Sequence, residues 1–103
     1  MAKIEVIDIL RAYINVLRTE GISVDKAFLY GSYLSNTATI DSDIDLLIVT
    51  ENVNDDYLVG KIWNLTKRVN SRIEPFLVGT NCFYSNDNSP LVELVKRTGL
   101  EIA

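Results

Sequence analysis

Histidine is absent from these 103 residues, and cysteine occurs once, at Cys82. An imidazole base, a Cys/His zinc site and an internal disulfide are therefore all excluded. Any acid–base work must fall to carboxylates or to a partner's groups. No apolar run approaches the roughly 20 residues needed to span a bilayer. The opening MAKIEVIDILRAY carries acids in its first turns and does not read as a signal peptide, so a cytoplasmic location without membrane contact is expected. Basic excess is missing too: 10 Lys+Arg face 14 Asp+Glu, for a net charge of -4. Direct binding of nucleic acid, which calls for a basic face, is not expected. A nucleotide site that works through metal ions stays open, because the metals bring the positive charge.

What is present is ordinary globular material, 48% hydrophobic and 23% charged, in a length that suits one domain over 1–103. Ile7, Leu10, Ile14 and Leu17 form one stripe of a helix over 4–19, which Gly21 ends as a left-handed cap. VDKAFLY (24–30) reads as a strand, and 32–41 as a turn or short helix with a loop. DIDLLIVT (43–50) is the clearest strand. Its LLIV run is apolar on both faces, which predicts a central strand covered on both sides. Leu58, Ile62, Leu65 and Val69 mark a helix over 55–69. RIEPFLV (72–78) reads as a third strand, and Pro75 places it at an edge or ends its pairing early. Residues 79–88 read as a loop. Ser89-Pro90 starts a last helix that Gly99 caps. The expected class is α/β (α+β), a small mixed sheet of three or more strands with helices packed against it.

The chemistry concentrates in FLYGSYLSNTATIDSDIDLLIV, from Phe28 to Val49. Gly31 follows a strand and lacks a Cβ, so phosphates can approach its backbone. Ser32 opens the next turn, where free N–H groups and a hydroxyl can hold an anion. Asp43 and Asp45, two apart on a strand, leave the same face with Cα atoms about 6–7 Å apart. Two such carboxylates can bridge metal ions about 3.5–4 Å apart, the spacing of two-metal phosphoryl transfer. Magnesium suits such a site, with few carboxylates, several waters and substrate phosphate oxygens. A lone Gly-Ser is usually a turn and a lone Asp-x-Asp a solvated strand start. Here two like charges open the most apolar strand of the chain, where without a counter-charge they cost stability.

Gly31-Ser32, ten intervening residues and then Asp43-Ile44-Asp45-Leu46 resemble the minimal nucleotidyltransferases of the DNA polymerase beta superfamily. The resemblance covers nearly the whole chain, including the closing SPLVELVKRTGLEIA. It implies transfer of a nucleoside monophosphate from an NTP, ATP being the expected one, to a hydroxyl, with two Mg2+ and release of pyrophosphate. It implies Gly31, Ser32 and Ser42 as nucleotide contacts and Asp43 and Asp45 as catalytic metal ligands. It also implies a third carboxylate on the next strand, and Glu74 is the only acid there. The bland alternative for Glu74 is a charge that guards an edge strand. The family's small stand-alone members act beside helical HEPN proteins as antitoxins, so a HEPN-type partner is implied, and a homo-oligomer is compatible. The family usually has Ala-Arg-Gly after Gly-Ser-aromatic, where this chain has Leu34, Ser35 and Asn36. Asn36 can take the left-handed conformation that Gly would supply. Ser35 cannot neutralise phosphate as an arginine does, which lowers the expected phosphate affinity and turnover. The competing class is a binding module that neutralises or assembles with its partner by contact.

Other features read more simply. Asp55 and Asp56 favour a helix start. Tyr57 and Trp63 read as core or rim before partner surface. Cys82 sits in the loop and reads as inert. Lys67, Arg68 and Arg72 read as a solvated helix end, with contact to an acidic partner or substrate as the minority alternative. Asn64-Leu65-Thr66 fits a glycosylation acceptor but falls on a helix.

Overall fold

A computed structural model describes residues 1–86 and 88–103, leaving out Asp87 at the end of the expected loop. In chain order the elements are α1 (Lys3–Thr19), β1 (Lys26–Tyr30), α2 (Ser32–Ser35), β2 (Ile44–Thr50) and α3 (Asp56–Leu65). A 3-10 turn (Thr66–Arg68), β3 (Ile73–Gly79), α4 (Thr80–Tyr84), α5 (Pro90–Thr98) and β4 (Leu100–Glu101) follow. The strands form one mixed sheet in the order β3-β2-β1-β4. β1 is antiparallel to β2 and β4, and β2 is parallel to β3, with α3 in the crossover between them.

β2 is central, as its double-sided apolar run requires, and its residues split by parity between two cores. Ile44, Leu46 and Ile48 join Leu10, Ile14 and Leu17 of α1 and Ile62 and Leu65 of α3. Leu47 and Val49 join Phe28, Val78, Phe83 of α4, and Val92 and Val95 of α5. The buried Tyr13 hydroxyl donates to the Ile62 carbonyl at 2.7 Å and ties α1 to α3.

Local chemistry sets most boundaries. Gly21 is left-handed at φ 85°. Asp55 caps α3 by accepting from Leu58 N–H at 3.1 Å. Ser89 caps α5, with Pro90 in its first turn. Pro75 lies on β3, an edge strand, where a missing N–H is tolerated.

Three expectations need correction. The helix over 55–69 ends at Leu65 and tightens into the 3-10 turn, although its stripe stays on the core side. The loop over 79–88 contains α4, which Phe83 anchors by stacking on Phe28 with ring centroids 5.6 Å apart. Cys82 is therefore helical, though exposed. Gly99 does cap α5, without being left-handed: its φ is -66° and its N–H donates to Val95 O. It is needed for space, because a Cβ there would lie 2.6 Å from the Val95 carbonyl oxygen. Tyr57 and Trp63 are not core residues, being 76% and 44% exposed.

Tyr13→Phe removes one buried hydrogen bond and changes no packing volume. It is expected to destabilise by about 1–2 kcal/mol, lowering Tm by at least about 4 °C. Urea unfolding with an unchanged slope would check this, and an unchanged midpoint would show that Tyr13 acts by packing alone.

Candidate active site

The sheet ladder assembles the site. The β1–β2 register sets Tyr30 opposite Asp45, and the β2–β3 register sets Asp45 beside Glu74. Residues opposite one another in a sheet share a face, so Tyr30, Asp45 and Glu74 form one rung. That face is the one lined further along by Leu47, Val49 and Val78, whereas Ile73 and Leu77 belong to the other core. Asp43 lies just outside the strand, which begins at Ile44, and is exposed. The Glu74 carboxyl is nonetheless close enough to Asp43 to be raised by it. Asp43, Asp45 and Glu74 are thus brought together at one end of the sheet.

Gly31 closes the rung from the β1 side. Its φ is 79°, and a Cβ built on it would run into Asp45 Oδ2. Both the backbone angle and the close approach of Asp45 demand glycine. Ser32 starts α2, whose first carbonyl acceptor is Gly31 O, taken by Leu34 N–H and Ser35 N–H at 3.1 Å. The N–H groups of Ser32 and Tyr33 precede that first intrahelical bond. Asn36 ends α2 in the left-handed conformation, at φ 62°. Ser42 lies in the spacer, where its Oγ accepts from Thr39 N–H at 2.8 Å. Its hydroxyl thus folds the turn that delivers Asp43. The Ser35 hydroxyl is likewise occupied, 3.2 Å from Gly31 O and 2.9 Å from Thr37 Oγ1.

The crowding shows in the electrostatics. Burial, and then the charge of Asp43, push the Asp45 carboxyl above the usual range. The hydrogen bond to Asp43 raises Glu74, with smaller effects from burial and from the charges of Asp43 and Asp45. Burial, then Asp45 and Glu74, push the Tyr30 phenol up to about 12, so it stays a hydrogen-bond donor at neutral pH. Tyr30 is a site residue that the motif did not reveal. Only the antiparallel register shows it, although its parity and its place beside Gly31 were visible in the sequence.

The donor set fits divalent cations of the hard, oxygen-seeking kind. Three carboxylates that burden one another are what such charge relieves. No three His, Cys, Asp or Glu side chains among the described residues converge into a ready-made cage. The fit is therefore to an open site completed by water and phosphate oxygens.

Two consequences can be measured. Because the Asp45 and Glu74 values are raised, their contribution to stability is full below the ordinary carboxylate range, near pH 4, and is lost as pH rises through the raised values. In EDTA, Asp45→Asn should raise Tm at pH 7 by roughly 2–4 °C, a gain held down by solvent screening, and should flatten the pH dependence. A lower Tm would mean that Asp45 makes a structural contact instead. Gly31→Ala should cost about 1–3 kcal/mol. Gly31→Ala/Asp45→Ala should lose clearly less than the sum of the two single changes, since the clash is between those residues. Strict additivity in urea unfolding would refute the close approach.

The nucleotidyltransferase domain family matches residues 10–87, a span holding the Gly31-Ser32 turn, both aspartates and β3. No curated protein matches the chain significantly. Among solved structures, a Sulfolobus solfataricus protein provisionally named a nucleotidyltransferase superposes with a TM-score of 0.57 at 11% identity, over 78% of this chain and 72% of that one. At that identity the likeness speaks for the fold, which is the mixed α+β nucleotidyltransferase fold. Since the family match takes in well over half of the residues, the chain belongs to the nucleotidyltransferase domain family.

Proposed function

We propose that residues 1–103 act as a single minimal nucleotidyltransferase domain, transferring a nucleoside monophosphate from an NTP, with ATP the first candidate, to a hydroxyl acceptor. The observation that carries this reading is the Asp45–Glu74 rung, with Asp43 two residues before Asp45 and beside Glu74. Asp43, Asp45 and Glu74 would hold two Mg2+. When bound, these ions supply charge neutralisation for both the entering and the leaving oxygens of an in-line displacement. The acceptor hydroxyl oxygen bonds to the α-phosphorus as the bond to the pyrophosphate oxygen breaks, and with no histidine in the chain the hydroxyl proton passes to a carboxylate or to a group of the partner. Gly31 lets the phosphates approach the backbone, and the Ser32 and Tyr33 amides at the start of α2 face incoming negative charge. Ser42 belongs to the nucleotide side of the site chiefly through the turn it shapes. Positioning provides much of the remaining rate enhancement.

The acceptor would be a side-chain hydroxyl of a helical, HEPN-type partner protein in a cytoplasmic toxin–antitoxin pair. Supporting this, Tyr57 and Trp63 stand exposed on α3. A second reading, a weakly catalytic module that neutralises its partner by contact, is favoured by Ser35. Its hydroxyl is spent on the turn and brings no positive charge to phosphate.

Melting the protein with ATP in the presence and absence of Mg2+ tests the reading. At a hundredfold excess over Kd, Mg·ATP should stabilise the native protein by about 2.7 kcal/mol. Asp43→Asn/Asp45→Asn should lose nearly all of that gain, while ATP in EDTA should do little to either protein. Equal, metal-independent behaviour of both would sink the enzyme reading. Intact mass of a co-expressed partner then separates transfer, seen as an added nucleoside monophosphate, from contact alone.

A further inference from the structure

Asp43 is the candidate ligand least fixed by the sheet, because β2 starts one residue later. The structure assigns its placement to Arg72, a residue that neither the family motif nor the spacing singles out. Arg72 ties down both ends of the segment Ile40–Ile44. Its carbonyl accepts from Ile44 N–H at 2.8 Å, and its guanidinium Nη1 donates to the carbonyl of Ile40. The Ile40 side chain is itself 80% exposed and brings no core anchor to the loop. Arg72 is in turn held from behind, its N–H donating to Asn70 Oδ1 at 2.9 Å. Between the two fixed points the chain makes the Thr39–Ser42 turn, closed by Ser42 N–H on Thr39 O at 3.1 Å, and then presents Asp43. The β2–β3 register pairs Ile44 with Ile73, so one residue back Asp43 flanks Arg72. Among the described residues Arg72 is in no ion pair. Its guanidinium is therefore committed to the loop and not to the Asp43 carboxylate.

Arg72 is thus a positioning residue. It acts on the metal through Asp43, and it rests on the proposed metal site. The guanidinium suits this job, since its rigid fork keeps its aim while the main chain of the same residue holds the strand start. The loss of a group that orients a ligand typically costs tenfold or more in metal affinity.

The test uses free Mn2+ as probe, with affinity measured by EPR for the native protein, Arg72→Met, Arg72→Lys and Asp43→Asn, and with Tm and amide NMR spectra of the metal-free proteins. Positioning predicts that Arg72→Met weakens Mn2+ binding roughly tenfold, and that Arg72→Lys, which keeps one donor, recovers part of it. In Arg72→Met the amide resonances of Thr39 to Asp43 should shift or broaden, while those of Leu46 to Val49 stay put. The signs separate the rivals. A nearby positive charge with no positioning role would make Arg72→Met bind Mn2+ more tightly, and that result overturns the proposal. Unchanged Mn2+ affinity with weaker Mn·ATP binding would make Arg72 a phosphate contact, and overturns it too. Should Arg72→Met fail to fold, Arg72→Lys takes its place: a partial loss of Mn2+ affinity with shifted Thr39 to Asp43 resonances supports the proposal, and native-like affinity and spectra refute it. If Asp43→Asn binds Mn2+ as the native protein does, the metal site itself fails. A tenfold loss in Asp43→Asn with none in Arg72→Met leaves the site standing and removes only Arg72.

Discussion

Two carboxylates held side by side by a sheet ladder, with a third just before the strand, repel one another, and much of the local structure can be understood from the need to hold them there. Asp45 cannot retreat, because it sits on the central strand between Tyr30 and Glu74 on its two neighbours. The counterweight lies along the same strand. Ile44, Leu46, Leu47, Ile48 and Val49 are fully buried, alternating between the two cores. Each such side chain is worth about 1.5–3 kcal/mol on burial, while repulsion among partly exposed charges is of order 1 kcal/mol. The strand therefore holds its acids by a wide margin, and the strain of holding them there agrees with the raised Asp45 and Glu74 values.

Gly31 belongs to the same constraint. A residue in the left-handed region is one requirement and room for Asp45 is another, and glycine meets both. The result is a close packing of turn against acid that brings the start of α2 beside the carboxylates. Tyr30 lines the other flank. Burial first, and then the charges of Asp45 and Glu74, push its phenol up, so it remains a donor on the rung it shares with them.

Much of this was legible in the sequence. The periodicity of α1 and α3, the central place of β2, the edge place of β3 and the face that Glu74 shares with Val78 all follow from residue periodicity and from Pro75. What was not legible depends on contacts distant in the chain. α4 lies in a polar stretch and is held by Phe83 on Phe28, 55 residues upstream. β4 has two residues, too few for any alternation, and is fixed by pairing with Phe28 and Leu29. Arg72 read as part of a solvated basic cluster, because nothing local says that its guanidinium meets Ile40. Tyr30 was hidden for the same reason: strand register is a property of two strands, and one strand's pattern shows only its own faces.

The spacer shows how a departure in sequence can keep a backbone while altering its chemistry. Asn36 adopts the left-handed angle that glycine would have supplied, so the turn out of α2 survives. Ser35 keeps its place by bonding to Gly31 O and Thr37 Oγ1, which stabilises the turn but offers nothing to a phosphate. Geometry and charge have thus been separated at adjacent positions. On the proposed function, the carboxylates and their frame would depend on the backbone, whereas neutralisation of the triphosphate would call for a side-chain cation that Ser35 does not supply. A site altered in this way should bind metal better than it turns over nucleotide, because metal affinity resides in the acids and rate in the charge that offsets the transferring phosphates.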